Sequence, residues 1–426
     1  MIIYRNLIEN IRNWLGQRDI IAIYGARQVG KTFLMRYLMD ELLGKGEKTI
    51  FIDLEDFEMR ELLKTPSDFL RFLREKGIKE GEKVYVFLDE VHYLEEPSNL
   101  LKIIHDHHPC IQLIVSGSSS FEIRKKFKDI LTGRKQVFQL HPLSFEEYLN
   151  FNRLEELKNN KKNLTLYTIL DRKFEQISSV LHNRFLEAFE EFAIFGGYPR
   201  VALTENPDDK VLIIKEIYES YIQKDIKDFI RVENVPKFNA LVRFLSVQSG
   251  NLLNLHEVSK ELGVERKTLE NYLFIMEQTF VVKRIQPYFT NRQKEITKMS
   301  KLFFLDTGLR NYSIKDMRKI ELRQDKGALI ENTVYSEIEK QLHLLDEICF
   351  WRTQQKKEVD FILRCQGELI PIEIKYQNIT YPQFSSSLKS FIRDYEPKIA
   401  LVLNKNFWGE SLFNRTKILF VPVYIV

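Results

Sequence analysis

The chain has 426 residues, 44% of them hydrophobic and 29% charged, with a formal net charge of +4. That length suggests two to four domains with substantial cores, and the small charge excess excludes a polybasic chain that coats nucleic acid by bulk electrostatics. Three scattered cysteines, Cys110, Cys349 and Cys365, exclude a disulfide framework or zinc cage and fit a reducing cytoplasm.

The amino-terminal stretch Met1 to Leu15 reads as an amphipathic helix with internal charges, not a signal peptide. No apolar run anywhere approaches the roughly 18 residues of a membrane span. The apolar run before Gly25 then enters Gly25-Ala26-Arg27-Gln28-Val29-Gly30-Lys31-Thr32, and an apolar-periodic helix follows through Phe33 to Leu43. The spacing G-x-x-x-x-G-K-T between a strand and a helix is the phosphate-binding loop of a nucleoside triphosphatase. Its glycines let consecutive N–H groups face a phosphate. Lys31 is expected on the β- and γ-phosphates and Thr32 on Mg²⁺. Gly25 to Phe33 is thus the expected ATP cradle.

Lys48 to Glu58 reads as a second strand and an acidic turn, and Ser67 to Lys76 as a helix. Val84 to Leu94 is an apolar strand capped by Asp89-Glu90, the pattern of a Walker B element. Asp89 is expected to bind Mg²⁺ and Glu90 to polarise the attacking water as general base. Ile111 to Ile123 is a further buried strand ending in small polar residues. The run Ile104-His105-Asp106-His107-His108-Pro109-Cys110 invites a metal reading, but no second ligand cluster accompanies it. Arg134 precedes a strand at Gln136 to Leu140, where an arginine serves either as a finger, in cis or on a neighbouring subunit of a homo-oligomer, or as a solvated strand end.

Ser144 to Val201 reads as helical, with a polar surface insertion at Glu155 to Asn163. Gly196-Gly197-Tyr198-Pro199 is too much backbone punctuation for a helix interior. Such a break in a helical lid can set Tyr198 against an adenine and Arg200 near the phosphates. From Lys237 to Tyr288 the pattern is helix, short helix, turn at Gly263, longer helix and strand, the outline of a winged helix-turn-helix. Its third helix would expose Arg266, Lys267, Asn271 and Tyr272 to DNA, or the module would serve a protein partner. Lys301 to Tyr312 reads as the returning wing strand and a turn.

The last hundred or so residues read as αβββαβ. Glu358 and Asp360 share one strand face, as do Glu373 and Lys375 on the next strand. Asp360 and Glu373 are candidate Mg²⁺ ligands, Glu331 on the preceding helix completes the set, and Lys375 would position a metal-bound water. On a strand, Glu-x-Lys alone is more commonly a salt-bridged surface.

With these residues together, the chain resembles, nearly end to end, a class of bacterial and archaeal proteins. These join an AAA-type ATPase domain to a domain related to PD-(D/E)xK nucleases. The resemblance rests on G-A-R-Q-V-G-K-T, V-F-L-D-E-V, L-T-G-R, H-P-L-S-F-E-E-Y, G-G-Y-P-R, L-F-F-L-D-T-G-L, G-A-L-I-E-N, E-V-D-F and P-I-E-I-K. It implies that a polar residue at the tip of the fourth strand, Ser118 with Ser116 and Ser119 as neighbours, meets the γ-phosphate or the water. The Gly-Gly-x-Pro element is similar to that of STAND-type ATPases and implies a nucleotide contact at Gly197-Tyr198-Pro199. Val359 stands where the nuclease pattern has proline before Asp360. The expected α/β architecture is an ATPase core (1–143), a helical lid (144–232), a winged helix (233–312) and a restriction-endonuclease-like domain (313–426). The expected function is an ATP-hydrolysing switch coupled to a nuclease-like, DNA-directed domain. The competing expectation is a regulatory protein whose later domains only bind DNA or protein.

Overall fold

Apolar segments of the amino-terminal third meet as five parallel strands: β1 (Ile20–Tyr24), β2 (Thr49–Asp53), β3 (Val84–Asp89), β4 (Ile111–Gly117) and β5 (Lys135–Gln139). Their order is β2-β3-β4-β1-β5, so β1, which feeds the glycine loop, lies between β4 and β5. Every residue of β1 and β3 is buried, as expected of a parallel strand covered on both faces. The coordinates are a computed structural model that describes residues 4–117, 131–152, 154–161, 164–171, 177–226, 235–289 and 299–426, leaving aside the side chains of 223–225.

The chain forms two compact units, residues 1–142 with 278–280, and residues 143–277 with 281–426. In the first, helices Lys31–Gly44, Pro66–Glu75 and Pro97–His107 flank the sheet. Leu88, Val86 and Val115 from the strands pack with Phe69, Leu101 and Ile104 from the helices. The second strand lies where the sequence places it, within Lys48 to Glu58. It stops at Asp53, and Asp56 caps a short helix, Phe57–Leu62.

The second unit opens with helix Phe145–Phe151, closed at its start by a reciprocal capping box between Ser144 and Glu147. Where a polar surface insertion was expected, Glu155–Lys161 is a helix whose Leu157 and Lys161 are buried. The long helix Ser179–Phe195 packs Phe185, Phe189 and Phe192 inward and ends at Gly196, with φ of +78°. Helices Val235–Val247, Leu255–Leu262 and Arg266–Gln278 follow, then strands β6 (Val282–Ile285) and β7 (Lys301–Phe304) in an antiparallel pair. Leu269, Tyr272, Leu273 and Met276 recur at helical spacing, and all four are buried. Tyr272 is therefore a core residue, not part of the exposed face on which Arg266, Lys267 and Asn271 lie. The turn expected after β7 is a helix, Thr307–Ser313, begun by Asp306 as N-cap.

The last region adds helix Lys326–Gln341, strands β8 (Glu347–Arg352), β9 (Glu358–Cys365) and β10 (Glu368–Lys375), helix Ser386–Tyr395, and β11 (Ile399–Asn404). Two further strands, β12 (Gly409–Phe413) and β13 (Thr416–Pro422), form a hairpin that the sequence pattern did not announce. Asn414 supplies its left-handed turn residue, with φ of +53°. The sheet order is β12-β13-β11-β10-β9-β8, so the unforeseen β13 is an interior strand. Among the described residues, no helix is long and apolar enough to cross a membrane.

Candidate functional site

The loop after β1 is shaped by two glycines and one arginine. A side chain at Gly25 would place its Cβ 2.1 Å from the Leu140 carbonyl oxygen, and that oxygen belongs to backbone. Gly30 has φ of +96° and stands at the amino-terminal cap of Lys31–Gly44, where it offers no side chain to the first N–H groups of the helix. Arg5, which sequence reading passed over, is buried and braces the loop. Its guanidinium donates to the carbonyls of Val29 (2.8 Å) and His141 (2.7 Å). Thr32 and Phe33, in the first turn of the helix, are exposed.

Lys31 is only 4% exposed. Its ammonium donates to the carbonyls of Gly25 (3.2 Å) and Ala26 (3.1 Å) and lies 3.7 Å from the Glu90 carboxylate. Burial alone would raise the Glu90 carboxyl. The Lys31 ammonium, the His92 ring and Arg27 outweigh it and hold the group down at about 2. Glu90 is therefore ionised at neutral pH, the form a general base requires.

Asp89 ends β3 with 2% exposure, and Glu90 follows in a left-handed conformation, φ +52° and ψ 49°. Such backbone costs a non-glycine residue about 1–2 kcal/mol, and Ser116 on the neighbouring strand holds it. The Ser116 hydroxyl accepts the Glu90 N–H at 2.9 Å and donates to the Asp89 carboxylate. Ser116, a secondary candidate from sequence, thus touches both acidic residues, while Ser118 and Ser119 lie outside the described residues. His92 places Nδ1 3.1 Å from the other Glu90 oxygen. The loop, its buried ammonium and two adjoining carboxylates form one constellation at the carboxyl edge of β1, β3 and β4, where open α/β sheets bind ligands.

Arg134 stands elsewhere. Its carbonyl accepts the Ile20 N–H, so it sits at the amino end of β1, across the length of the strand from the loop. Its guanidinium donates to Asp106 at 2.8 Å, holding that carboxyl below its ordinary range together with His105. A finger in cis is excluded by this placement.

In the second unit, the punctuated segments interlock. The Gly197 N–H donates to buried Asp306 at 2.8 Å, and Asp306 also caps Leu309 at 3.0 Å. A Cβ on Gly196 would fall 2.4 Å from that carboxylate, and one on Gly308 2.2 Å from the Phe195 carbonyl. Asn311 donates to the carbonyls of Ala193 and Ile194 at the end of the long helix. The Asn332 amide pairs with Phe304 like a neighbouring strand, donating at 2.7 Å and accepting at 3.0 Å. The glycines at 196 and 197 thus have a packing reason. Tyr198 is buried, at 3% exposure, and Pro199 begins a short helix, while Arg200 is exposed and paired with Glu216.

The carboxylates singled out near the end of the chain converge around a lysine. Lys301 of β7, 2% exposed, places its ammonium 3.1 Å from Glu331 and 2.7 Å from Glu358. Arg352 also bridges Glu358. The Asp360 carboxylate accepts the Ile374 N–H at 2.7 Å. Glu373 accepts the Ser385 N–H at 3.1 Å and lies 3.6 Å from the Lys375 ammonium. Burial and then Glu331 raise the Asp360 carboxyl well above its ordinary range. Among the described residues, no group of three or more His, Cys, Asp or Glu is arranged to hold a metal ion. As arranged, Glu331, Asp360 and Glu373 do not fit a divalent cation.

Comparison with known proteins finds three matching families along the chain. Residues 17–149 match the family described as an AAA domain. This stretch is similar to the AAA-type domains of P-loop ATPases. Residues 186–319 and 326–424 match two domains of unknown function, DUF8612 and DUF4143. A Haemophilus influenzae protein described as uncharacterised is 24% identical over 88% of this chain and 87% of its own. A Methanocaldococcus jannaschii protein, also described as uncharacterised, is 25% identical over 81% and 72%. Among solved structures, Thermotoga maritima RuvB has a TM-score of 0.26 at 16% identity, covering 62% of this chain and 82% of that one. AMPPCP-bound DnaA from Aquifex aeolicus has a TM-score of 0.25 at 17% identity, covering 63% and 86%. At those scores the likeness carries no argument, and the AAA reading rests on the family match and the loop geometry.

Proposed function

We propose that the chain is an ATP-binding and ATP-hydrolysing switch whose second unit is a nuclease-like, nucleic-acid-directed module. The observation that carries the reading is the shared position of the Lys31 ammonium, between two loop carbonyls and the Glu90 carboxylate. All three partners compete for one charge, and a triphosphate offers it a stronger one. On nucleotide binding, Lys31 leaves Glu90 for the β- and γ-phosphates, the Glu90 carboxyl rises from its depressed range, and the group becomes a better base. Thr32 and Asp89 would hold Mg²⁺, which supplies neutralisation of the phosphate charge. Ser116 keeps Glu90 aimed while Lys31 changes partner.

In this reading the helices from Val235 to Gln278 with β6 and β7 form a winged helix, and Arg266, Lys267 and Asn271 supply its exposed polar face to DNA. Helix Lys326–Gln341 and strands β8 to β11 form the nuclease-like core. The second reading, in which that core binds nucleic acid or protein without cutting, is favoured by the lysine lodged among its carboxylates. A role for Arg134 in trans belongs with assembly into a homo-oligomer. The test is Glu90→Gln, which keeps ATP binding and slows hydrolysis by about 100-fold or more, the scale of a lost general base. Unchanged turnover overturns the reading.

A further inference from the structure

The acid cluster of the second unit already contains a cation. We infer that the Lys301 ammonium occupies the place of a divalent ion among Glu331, Glu358 and Asp360, so that this sheet holds no catalytic metal while β7 is in position. The inference uses the nuclease-like reading only for the expectation of a metal there, and the ATP-switch reading is tested separately.

The lysine is built into the site from a different element. In β7, Lys301 and Phe303 share one face and Leu302 and Phe304 the other. Leu302 and Phe304 belong to the helical core, while Phe303 stacks on Tyr335 at 4.5 Å and meets Phe361 at 5.4 Å. Tyr335 and Phe361 lie on the same helix and strand as Glu331 and Asp360. The Asn332 side chain ties the same helix to Phe304 through two hydrogen bonds. The contacts that seat β7 therefore also place the ammonium. Gly250 closes the far side, where a Cβ would fall 3.1 Å from Glu331 Oε2.

Charge balance points the same way. Lys301 and Arg352 face Glu331 and Glu358 at bonding distance, and Asp360 spends one oxygen on a backbone N–H. A divalent ion takes six or more hard oxygen ligands in about 2.0–2.6 Å contacts. It cannot share that space with an ammonium 2.7 Å from one carboxylate. The nearest cation on the Glu-x-Lys strand, Lys375, pairs with Glu373 instead of facing an open metal position.

The experiment is a titration of the nucleotide-free full chain with Mn²⁺ alone, followed by loss of the free-ion paramagnetic signal. Asp89→Asn is present in every arm, so that the ATP loop contributes no cation ligand. Wild-type Lys301 is expected to take up no Mn²⁺ at this sheet. Lys301→Met is expected to take up one ion per chain and to gain melting temperature with Mn²⁺, both lost on adding Asp360→Asn. Mn²⁺ uptake by the Lys301 protein that Asp360→Asn abolishes overturns the inference, whether or not Lys301→Met folds. A folded Lys301→Met chain that takes up none overturns it as well. If Lys301→Met does not fold, Lys301→Ala carries the same comparison. None of these outcomes bears on ATP turnover, so failure here leaves the switch reading standing.

Discussion

Replacing Ser116 with alanine isolates the clamp on the two acidic residues from the loop that binds phosphate. Ser116 is fully buried, and its hydroxyl hydrogen-bonds both the Glu90 N–H and the Asp89 carboxylate. Without it, a buried N–H loses its acceptor, at a cost of about 1–3 kcal/mol. The left-handed backbone of Glu90 also loses the bond that offsets its strain, about 1–2 kcal/mol. If about 2 kcal/mol of this falls on the aim of the Glu90 carboxylate in the transition state, kcat drops about 30-fold. ATP affinity depends on the loop N–H groups and Lys31, which Ser116 does not touch, and should stay within about threefold. Phosphate release at saturating ATP gives kcat, a fluorescent ATP analogue gives affinity, and a parallel melting curve shows that the variant is folded. A folded variant with wild-type kcat refutes the assignment of Ser116. Lost affinity with kcat retained refutes the separation between clamp and cradle.

Gly25→Ala puts a Cβ against the Leu140 carbonyl at 2.1 Å. Neither backbone can yield cheaply, so equilibrium binding should show nucleotide affinity reduced by about 100-fold or more; wild-type affinity would remove Gly25 from the cradle. Asp306→Ala strands the Gly197 and Leu309 N–H groups and should lower the unfolding free energy by about 2–4 kcal/mol, read from the denaturant midpoint. An unchanged midpoint would show that the Gly-Gly-Tyr-Pro segment is not anchored there. Lys161 is buried against main-chain oxygens of Leu164, Ile425 and Val426. Burial, only partly offset by Glu337 and Glu146, lowers its ammonium to about 8 from an ordinary 10.5. The unfolded chain therefore binds more protons than the folded one between those values. This group's contribution to stability rises with pH across that window, by about 3 kcal/mol in all. Lys161→Met should flatten the rise in midpoint between pH 7.5 and about 10; identical pH trends in both proteins would refute the assignment.

The nucleotide loop was legible because its chemistry is contiguous. Eight consecutive residues between a strand and a helix specify backbone N–H groups, a lysine and a hydroxyl without tertiary information. The Asp89-Glu90 pair was legible as the polar end of an apolar strand. Its clamp was not, because only strand register shows that Ser116 of β4 faces Asp89 and Glu90. Arg5 carried no signal, since a lone arginine in an amphipathic segment looks like solvated charge until its carbonyl partners are known. Tyr272 was readable in retrospect. Its spacing with Leu269, Leu273 and Met276 is a buried stripe, and the phenol invited a polar reading. Hairpin β12-β13 was not announced by its pattern, and β13 becomes an interior strand only through pairing with β11. Lys301 was hidden most deeply. It meets Glu331 and Glu358 across 30 and 57 residues of chain, a juxtaposition no local pattern encodes.

Two buried lysines show how the same side chain serves opposite ends. Both Lys31 and Lys301 are nearly inaccessible, at 4% and 2% exposure, and both face carboxylates. Among the described residues, Lys31 has its carboxylate at 3.7 Å and neutral carbonyls at 3.1 and 3.2 Å. Lys301 has two carboxylates at 2.7 and 3.1 Å and is seated by an aromatic stack beside it. Removing a charge from close ionic partners leaves them buried and uncompensated, at about 3–5 kcal/mol, whereas carbonyl partners lose one neutral hydrogen bond each, about 0.5–1.5 kcal/mol. A triphosphate readily exceeds the second cost, so Lys31 is held for exchange. Lys301 has no such weak partner to trade among the described residues, and its two carboxylates hold it. The chain thus places one buried lysine where a phosphate is expected and the other where a metal was expected.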